Sequence, residues 1–238
     1  MISYGPSIVT SGLQLYLDAG NLRSYPGTGT TWADISANKL TATLVNAPTF
    51  NSSNAGYFSF NGSTQSANLG TTNILNFTSA FSVAFWYNAN ISTSLMYFID
   101  RWTYGSGNFR QWSFDNTISN SVVTANAINF RISTNGADSG ATGASSINSS
   151  YSTGWHFVVG TWDGSNMNLY VDGILVAGPV AKTSMVSTAG QTTYIGVSNL
   201  GSTGYYNGSL SIISAYNRAL SAAEVAQNFN AHRGRYGI

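Results

Sequence analysis

Apolar and polar residues alternate along most of the chain with the period of two that is typical of β-strands buried on one face. The segments LQLYLD at residues 13–18 and FSVAFWY at residues 81–87 each place a large apolar side chain at every second position. Shorter runs of the same kind lie at residues 95–99, 111–114, 127–132, 193–197 and 210–216. Clusters of Gly, Asn, Ser and Thr separate these runs, as turns separate strands. The pattern therefore predicts an all-β chain.

Three consecutive strands are predicted in the second half of the chain. Residues 155–162 and 167–171 are β-rich runs, and the turn-forming sequence DGSN at residues 163–166 lies between them. The pair Asp172-Gly173 then precedes a third run at residues 174–176. Asp and Gly tolerate the positive φ that a two-residue hairpin turn needs. We therefore expect an antiparallel meander.

One helix is predicted close to the end of the chain. Ser221 is placed as its N-cap, and Glu224 three residues later completes a capping box. Leu220 and Val225 have the spacing of a hydrophobic staple, and Phe229 shares the face of Val225. We expect this helix to pack across a sheet edge or to lie beside the N-terminal strand.

The length and the composition favour a single domain. An all-β sandwich or barrel commonly reaches the 238 residues of this chain without a domain boundary. About a dozen short strands without a break in composition predict one two-sheet antiparallel sandwich with one short C-terminal helix. Residues 1–12 are expected to be an extended segment, and residues 13–238 the folded domain. The absence of cysteine excludes disulfides, thiolate metal sites and a cysteine nucleophile.

The chain carries very little charge, with 7% charged residues and a net charge of +1. No Lys/Arg cluster forms the positive groove that nucleic-acid binding requires, so no nucleic-acid partner is expected. No apolar run approaches the ~18 residues of a membrane span, and the first residues lack a secretion-signal pattern. Hydroxyls and amides must therefore hydrate the surface. Such a surface suits contact with neutral sugars. The same composition is also explained if these side chains only keep the protein soluble without charge repulsion.

Four segments resemble the laminin G-like group of concanavalin A-like jelly rolls. They are FSVAFWY at residues 81–87, WHFVVGTWDGS at 155–165, LYVDGILV at 169–176 and GSLSIISAYNRALSAAEV at 208–225. The resemblance covers most of the chain and implies a two-sheet antiparallel jelly roll.

The opening of the chain carries a second, narrower resemblance. Residues 5–21, 24–36 and 60–63 are similar to versions of this domain in structural proteins of tailed bacteriophages. This likeness implies a virion component, such as a capsid decoration, neck, tail or fibre protein, whose partners are other virion proteins. Such a protein would be made in the host cytoplasm and released by lysis.

The same superfamily includes glucanases, so catalysis has to be weighed on the residues. Glycoside hydrolysis generally needs two carboxyl groups about 5–10 Å apart. The chain has eight acidic residues, and its one glutamate, Glu224, is already explained by the capping box. The E-x-D-x-x-E motif of the related glucanases is absent, and Asp163 and Asp172 occupy turn positions. His156 and His232 lack the spacing of a zinc motif. We therefore expect no enzymatic activity and no catalytic residue.

Calcium is the cofactor that the sequence suggests testing, although none is required. Asp34, Ser36 and Asn38 alternate through a loop, and Asp18 lies upstream, so that hard oxygen ligands can converge. Asx turns explain the same four residues.

Sugar binding uses flat aromatic faces beside amides, because pyranose C–H faces stack on rings while hydroxyls need hydrogen-bond partners. Two segments fit this description, a Gly-rich loop and the residues that precede the strand at 210–216. The candidates are Arg101, Trp102, Tyr104, Asn108 and Arg110 in the loop and Tyr205, Tyr206 and Asn207 in the second segment. A place in the core or at a sheet edge also explains Tyr206.

Three functional hypotheses follow. The first is a virion surface module that assembles on the particle and binds host-cell or environmental glycans. The second is a free bacterial carbohydrate-binding protein or glycoside hydrolase. The third is a purely structural jelly roll that trimerises or docks onto capsid proteins, with residues 1–11 as an anchor that orders on docking.

Overall fold

The computed structural model describes residues 6–90, 94–103, 109–118, 122–123, 127–136, 144–150, 153–198 and 204–238. In chain order the strands are β1 (Leu13–Asp18), β2 (Thr31–Ala33), β3 (Thr41–Val45), β4 (Thr49–Asn51), β5 (Tyr57–Asn61), β6 (Ser66–Thr71), β7 (Phe81–Ala89), β8 (Tyr97–Thr103), β9 (Phe109–Asp115), β10 (Thr117–Ile118), β11 (Val122–Val123), β12 (Ala127–Ser133), β13 (Ala144–Ser150), β14 (His156–Trp162), β15 (Asn166–Val171), β16 (Ile174–Ala181), β17 (Thr192–Ile195) and β18 (Asn207–Tyr216). The helix α1 (Ala222–His232) follows β18, and 3₁₀ turns lie at Ser53–Ala55 and Arg233–Arg235.

The strands form two antiparallel sheets of eight strands each, with β10 and β11 as a separate hairpin. Sheet 1 has the order β16-β15-β14-β7-β18-β5-β4, and β1 pairs with the second half of β18. Sheet 2 has the order β13-β12-β9-β8-β17-β6-β3-β2. The predicted all-β two-sheet sandwich with a short C-terminal helix is confirmed. Within the described residues, no helix has the length and apolar character needed to cross a membrane.

The predicted meander is also present. β14, β15 and β16 pair antiparallel in succession. Asp172 and Gly173, at the second reversal, have φ values of 52° and 83°. Positive φ at both central residues is what a tight hairpin turn requires, which is why this dipeptide could be recognised from the sequence.

The main core lies between the two sheets. From β7 it receives Phe81, Val83 and Phe85, which the alternating pattern had placed on one face. Gly160 of β14 faces the same interior, where a Cβ atom would come within 2.5 Å of the Phe114 ring of sheet 2. A glycine at this position therefore leaves room for the aromatic side chains of the opposite sheet.

A second apolar cluster covers the outer face of sheet 1. It contains Trp86 of β7, Phe157 of β14 and Val225 of α1. The helix therefore packs on the face of the sheet, and of its two expected positions, across a sheet edge or beside the N-terminal strand, the second is the one that the contacts show. The physical reason is that β7 is apolar on both faces, so its second face needs a cover. The helix approaches β1 at its last turn, where His232 Nε2 lies 2.9 Å from the hydroxyl oxygen of Tyr16.

The predicted capping box is formed. Ser221 Oγ accepts a hydrogen bond from the Glu224 N–H at 3.3 Å, and the Ser221 N–H donates to the Glu224 carboxylate at 2.9 Å. Arg218 donates two further bonds to this carboxylate, at 2.8 and 2.7 Å. The hydrogen bonds from Arg218, and then that from the Ser221 backbone, lower the pKa of Glu224 to about 2. The carboxylate is thus ionised at the helix N-terminus, where negative charge is favourable.

Residues 7–12 are bonded to the helix and to β18. The Val9 N–H donates to Asn228 Oδ1 at 2.8 Å, and the Val9 carbonyl accepts from the Tyr216 hydroxyl at 3.1 Å. Gln227 Nε2 donates to the Ser7 carbonyl at 2.7 Å. The segment is therefore attached to the domain from Ser7 onward. The anchor function of residues 1–11 stays a prediction.

Candidate functional site

Two of the predicted calcium ligands, Asp34 and Ser36, lie together in the loop after β2. The Asp34 carboxylate accepts bonds from the backbone N–H groups of Tyr16, Ser36 and Leu40 at 2.8–3.0 Å. Ser36 Oγ donates to the same carboxylate at 2.8 Å. Asn38 turns its Nδ2, a donor, toward a backbone carbonyl of β1 at 2.8 Å. Hydrogen-bond donors of the protein therefore already bind the Asp34 carboxylate, as they do in an Asx turn.

The remaining predicted ligand, Asp18, is bonded elsewhere. Its carboxylate accepts two bonds from the Arg235 guanidinium, at 2.8 and 3.0 Å, and one from the Gly20 N–H at 3.0 Å. A calcium ion at this carboxylate would have to displace a bidentate arginine. Over the described part of the chain, no group of three His, Asp or Glu side chains is arranged to hold a metal ion. The four predicted residues do not fit a calcium site as they are placed.

The first predicted glycan segment begins inside the protein. The Arg101 guanidinium donates to the carbonyls of Gln191 at 2.6 Å and Thr188 at 2.8 Å, and this residue is 0% exposed. Burial lowers the pKa of Arg101 to about 10. Trp102 is also 0% exposed, so its ring offers no face to a sugar. This placement corrects the prediction for both residues, because β8 lies in the middle of sheet 2.

The rest of that segment adds little to a site. Arg110 is partly exposed on β9, and its backbone N–H donates to the Gly136 carbonyl at 3.3 Å. Tyr104 and Asn108 lie outside the described residues. Their glycan-binding role stays a prediction.

The second predicted segment divides between core and surface. Tyr206 is 0% exposed and packs with the core ring of Phe60 at 6.0 Å between centroids, so its core interpretation is correct and its sugar-stacking role is not supported. Tyr205 is partly exposed. Asn207 begins β18, and its Oδ1 accepts a bond from Asn90 Nδ2 at 2.9 Å. Asn207, one of the predicted glycan-binding residues, borders a polar pocket.

This pocket, of about 130 Å³, lies on the outer face of sheet 1, where β5, β18 and β7 run side by side. In register across the three strands are Ser59, Ser209 and Asn88, and the two serine hydroxyls lie 3.2 Å apart. Gly208 has a φ of 150°, and a Cβ atom there would come within 2.5 Å of the Asn88 carbonyl oxygen. The lining residues are Ser59, Phe60, Asn88, Asn90, Gly208 and Ser209.

Two partly exposed aromatic residues, Tyr57 and Trp155, lie beside the pocket. Tyr57 is two residues before Ser59 on β5 and therefore shares its face. Trp155 directly precedes β14, and the register between β14 and β7 places it next to Asn88. The ring centroids of Tyr57 and Trp155 are 5.3 Å apart, and Trp155 also contacts Tyr236 at 4.7 Å. The pocket thus has aromatic rings on its helix side and amides on the other side.

Sequence reasoning found Asn207 but missed the residues that line this pocket. A signal for them exists, because the period of two in β7 continues past its apolar part with Asn88 and Asn90. Ser59 and Ser209 likewise take the polar positions between apolar neighbours. What the sequence does not give is the order of the strands, which puts these four side chains next to one another.

Three described carboxylates are held by structural contacts within the domain. Asp115 is 0% exposed, its Oδ1 accepts a hydrogen bond from Arg131 Nη2 at 3.0 Å, and its Oδ2 lies 3.0 Å from Arg131 Nε in an ion pair. Asp163 accepts bonds from two turn N–H groups at 2.8 and 2.6 Å. Glu224, with a pKa of about 2, carries no proton to donate near neutral pH.

The family model of the concanavalin A-like lectin/glucanases superfamily, in its laminin G form, matches residues 61–226, which is more than half of the chain. The chain belongs to this superfamily. The broader of the two resemblances seen in the sequence is therefore confirmed. No curated protein matches the sequence.

Several solved structures share the fold of this superfamily member. The binding domain of botulinum neurotoxin DC in complex with SialylT aligns with a TM-score of 0.70 and 18% identity, over 94% of this chain and 52% of that one. The botulinum neurotoxin serotype G binding domain aligns with a TM-score of 0.68 and 17% identity, over 91% of this chain and 50% of that one. The botulinum neurotoxin DC binding domain in complex with rat synaptotagmin II aligns with a TM-score of 0.69 and 18% identity, over 92% of this chain and 51% of that one. This chain spans about half the length of these domains, and at such identity the likeness shows the fold alone.

Proposed function

We propose that this superfamily member is a non-catalytic glycan-binding module carried on the surface of a bacteriophage particle. The observation that carries the binding proposal is the neutral polar pocket on the outer face of sheet 1, with amides and hydroxyls beside partly exposed aromatic rings. Sugar hydroxyls form hydrogen bonds with Asn88 and Ser209 there, while a C–H face of the ring stacks on Tyr57 or Trp155.

The proposed location on a phage particle is supported by the first part of the chain. Its segments at residues 5–21, 24–36 and 60–63 resemble the versions of this domain in structural proteins of tailed bacteriophages. A surface hydrated by neutral side chains agrees with that location. Purified particles should contain the protein at a fixed copy number. Recovery from the culture medium alone would favour the alternative, a free bacterial carbohydrate-binding protein or glycoside hydrolase.

Support for binding without hydrolysis comes from the carboxylates. Glu224, Asp115 and Asp18 each form an ion pair with an arginine, at distances of 2.7–3.0 Å. A glycosidase needs one carboxyl group that holds a proton and a second that attacks or activates water. Release of reducing ends from any bound glycan, abolished by an aspartate-to-asparagine change, would overturn the non-catalytic part of the proposal.

Replacing Asn88 and Asn90 together with alanine is expected to weaken glycan binding about tenfold or more. Each lost hydrogen bond contributes about 0.5–1.5 kcal/mol, and about 1.4 kcal/mol corresponds to a tenfold change in Kd. The measurement is a screen of neutral and acidic polysaccharides against the wild type, followed by calorimetric titration of the best ligand with both proteins.

The matched control is Asn68→Ala with Thr43→Ala, a pair that lies in register on sheet 2. This control should leave the Kd unchanged, and thermal unfolding should show that both double variants are folded. Equal affinity of the Asn88/Asn90 variant and the wild type would show that the glycan binds elsewhere. A wild type that binds no glycan in the screen would reject the function itself.

A further inference from the structure

The pocket on sheet 1 has room for no more than one sugar ring. Its volume is about 130 Å³. Liquid water occupies about 30 Å³ per molecule, so the pocket corresponds to roughly four waters, which is less than the space of a whole pyranose with its hydroxyls, and no more than one ring can enter it. A second ring of a polysaccharide would have to lie outside it.

The pocket is also bordered at two opposite ends along the strands. On one side the amides of Asn90 and Asn207 are joined by a hydrogen bond of 2.9 Å between β7 and β18. On the other side the rings of Tyr57, Trp155 and Tyr236 contact one another in a row, with centroid distances of 5.3 and 4.7 Å. A polysaccharide that ran along the strands and continued in both directions would meet one of these two borders. This geometry favours a chain end or a single-residue branch.

The lining is electrically neutral. Hydroxyls, amides, a glycine and a phenylalanine form it, and none of the six residues carries a charge. Placing a carboxylate in a confined site without a cation is costly, because its hydration is not replaced by an opposite charge. Neutral hydroxyls lose less, because amide oxygens and N–H groups replace the water that they leave.

We propose that the sheet 1 pocket binds the terminal residue of a neutral glycan and excludes both internal residues and acidic terminal sugars. The inference rests on the glycan-binding function proposed above and specifies its ligand. Ser59, Asn88, Asn90 and Ser209 bind the hydroxyls of that residue. The next sugar leaves the pocket toward solvent.

Three forms of one glycan test this inference. The first is a linear neutral oligosaccharide whose reducing end is blocked by a coupled spacer, the second is a cyclic oligosaccharide of the same sugar and linkage, which has no chain end, and the third is the blocked linear form capped with sialic acid at its other end. The linear form should bind at least tenfold more tightly than either of the others in calorimetric titration. Equal affinity of the cyclic form would overturn the chain-end specificity, and equal affinity of the capped form would overturn the preference for neutral sugars. If none of the three forms binds, and no glycan in the screen binds either, the binding function itself is rejected.

Asn90→Lys gives a second, positive readout. Asn90 is exposed, so the longer side chain does not disturb the core. An ammonium group at the rim should raise the affinity for the sialylated form at least tenfold relative to the neutral form. Asn68→Lys, on sheet 2, is the control and should leave the ratio of the two affinities unchanged. A ratio that does not move in Asn90→Lys would contradict the proposed position of the terminal sugar.

Discussion

Trp86→Ala should lower the free energy of unfolding by about 3–5 kcal/mol, the usual range for removing a large aromatic side chain from a core. Trp86 is 0% exposed and lies between sheet 1 and the C-terminal segment. Its ring contacts those of Tyr236, Phe157 and Phe229 at centroid distances of 4.1, 5.2 and 5.7 Å. Truncation would leave a cavity where the helix meets the sheet. Chemical denaturation followed by circular dichroism measures the loss.

Leu22→Ala is the control for this experiment. Leu22 is 78% exposed, so its truncation removes little buried surface and should change the free energy of unfolding by less than about 0.5 kcal/mol. If Trp86→Ala were as mild as Leu22→Ala, the helix would not be packed on the outer face of sheet 1 in solution.

Arg131→Met is expected to destabilise the domain by about 3–5 kcal/mol, because it removes the Arg131 cation from a buried ion pair with Asp115. The two side chains are 9% and 0% exposed, and two pairs of their atoms lie 3.0 Å apart. Asn129 and Ser113 donate to the same carboxylate at 3.3 and 3.2 Å, but neither carries a charge. Denaturant titration at pH 7 measures the effect.

The double variant Arg131→Met, Asp115→Leu separates the loss of the pair from the cost of an isolated charge. Replacing both partners of a buried ion pair by apolar residues is often close to neutral. We therefore expect the double variant to be clearly more stable than Arg131→Met alone. A double variant as unstable as the single one would mean that the arginine acts through its packing and not through its charge.

The period of two in the sequence predicted the sandwich well because each strand has to bury one face. The meander and the capping box were predictable for a local reason, since Asp172, Gly173, Ser221 and Glu224 act within a few residues of their own positions. The place of the helix was not predictable in this way. The outward-facing residues of β7 include Trp86, and the sequence does not say which element will cover them.

The candidate site was harder to predict than the fold. Residues were chosen by type and by their place in a Gly-rich loop, so that Arg101 and Trp102 were assigned to a sugar although both are interior. Asp34 and Ser36 were brought together as expected, but their oxygen atoms are used by the turn itself. Burial and the competition for hydrogen-bond partners decide these outcomes, and both depend on the neighbouring strands.

The sequence by itself determined that this protein is a two-sheet β-sandwich of low charge with a capped helix near its end, because alternation and capping are local properties of the chain. The tertiary structure decided which polar residues meet. Ser59, Asn88 and Ser209 are far apart in sequence, and they form one pocket because β18 pairs with β5 on one side and with β7 on the other. A binding surface made from three strands exists only once their order and register are fixed.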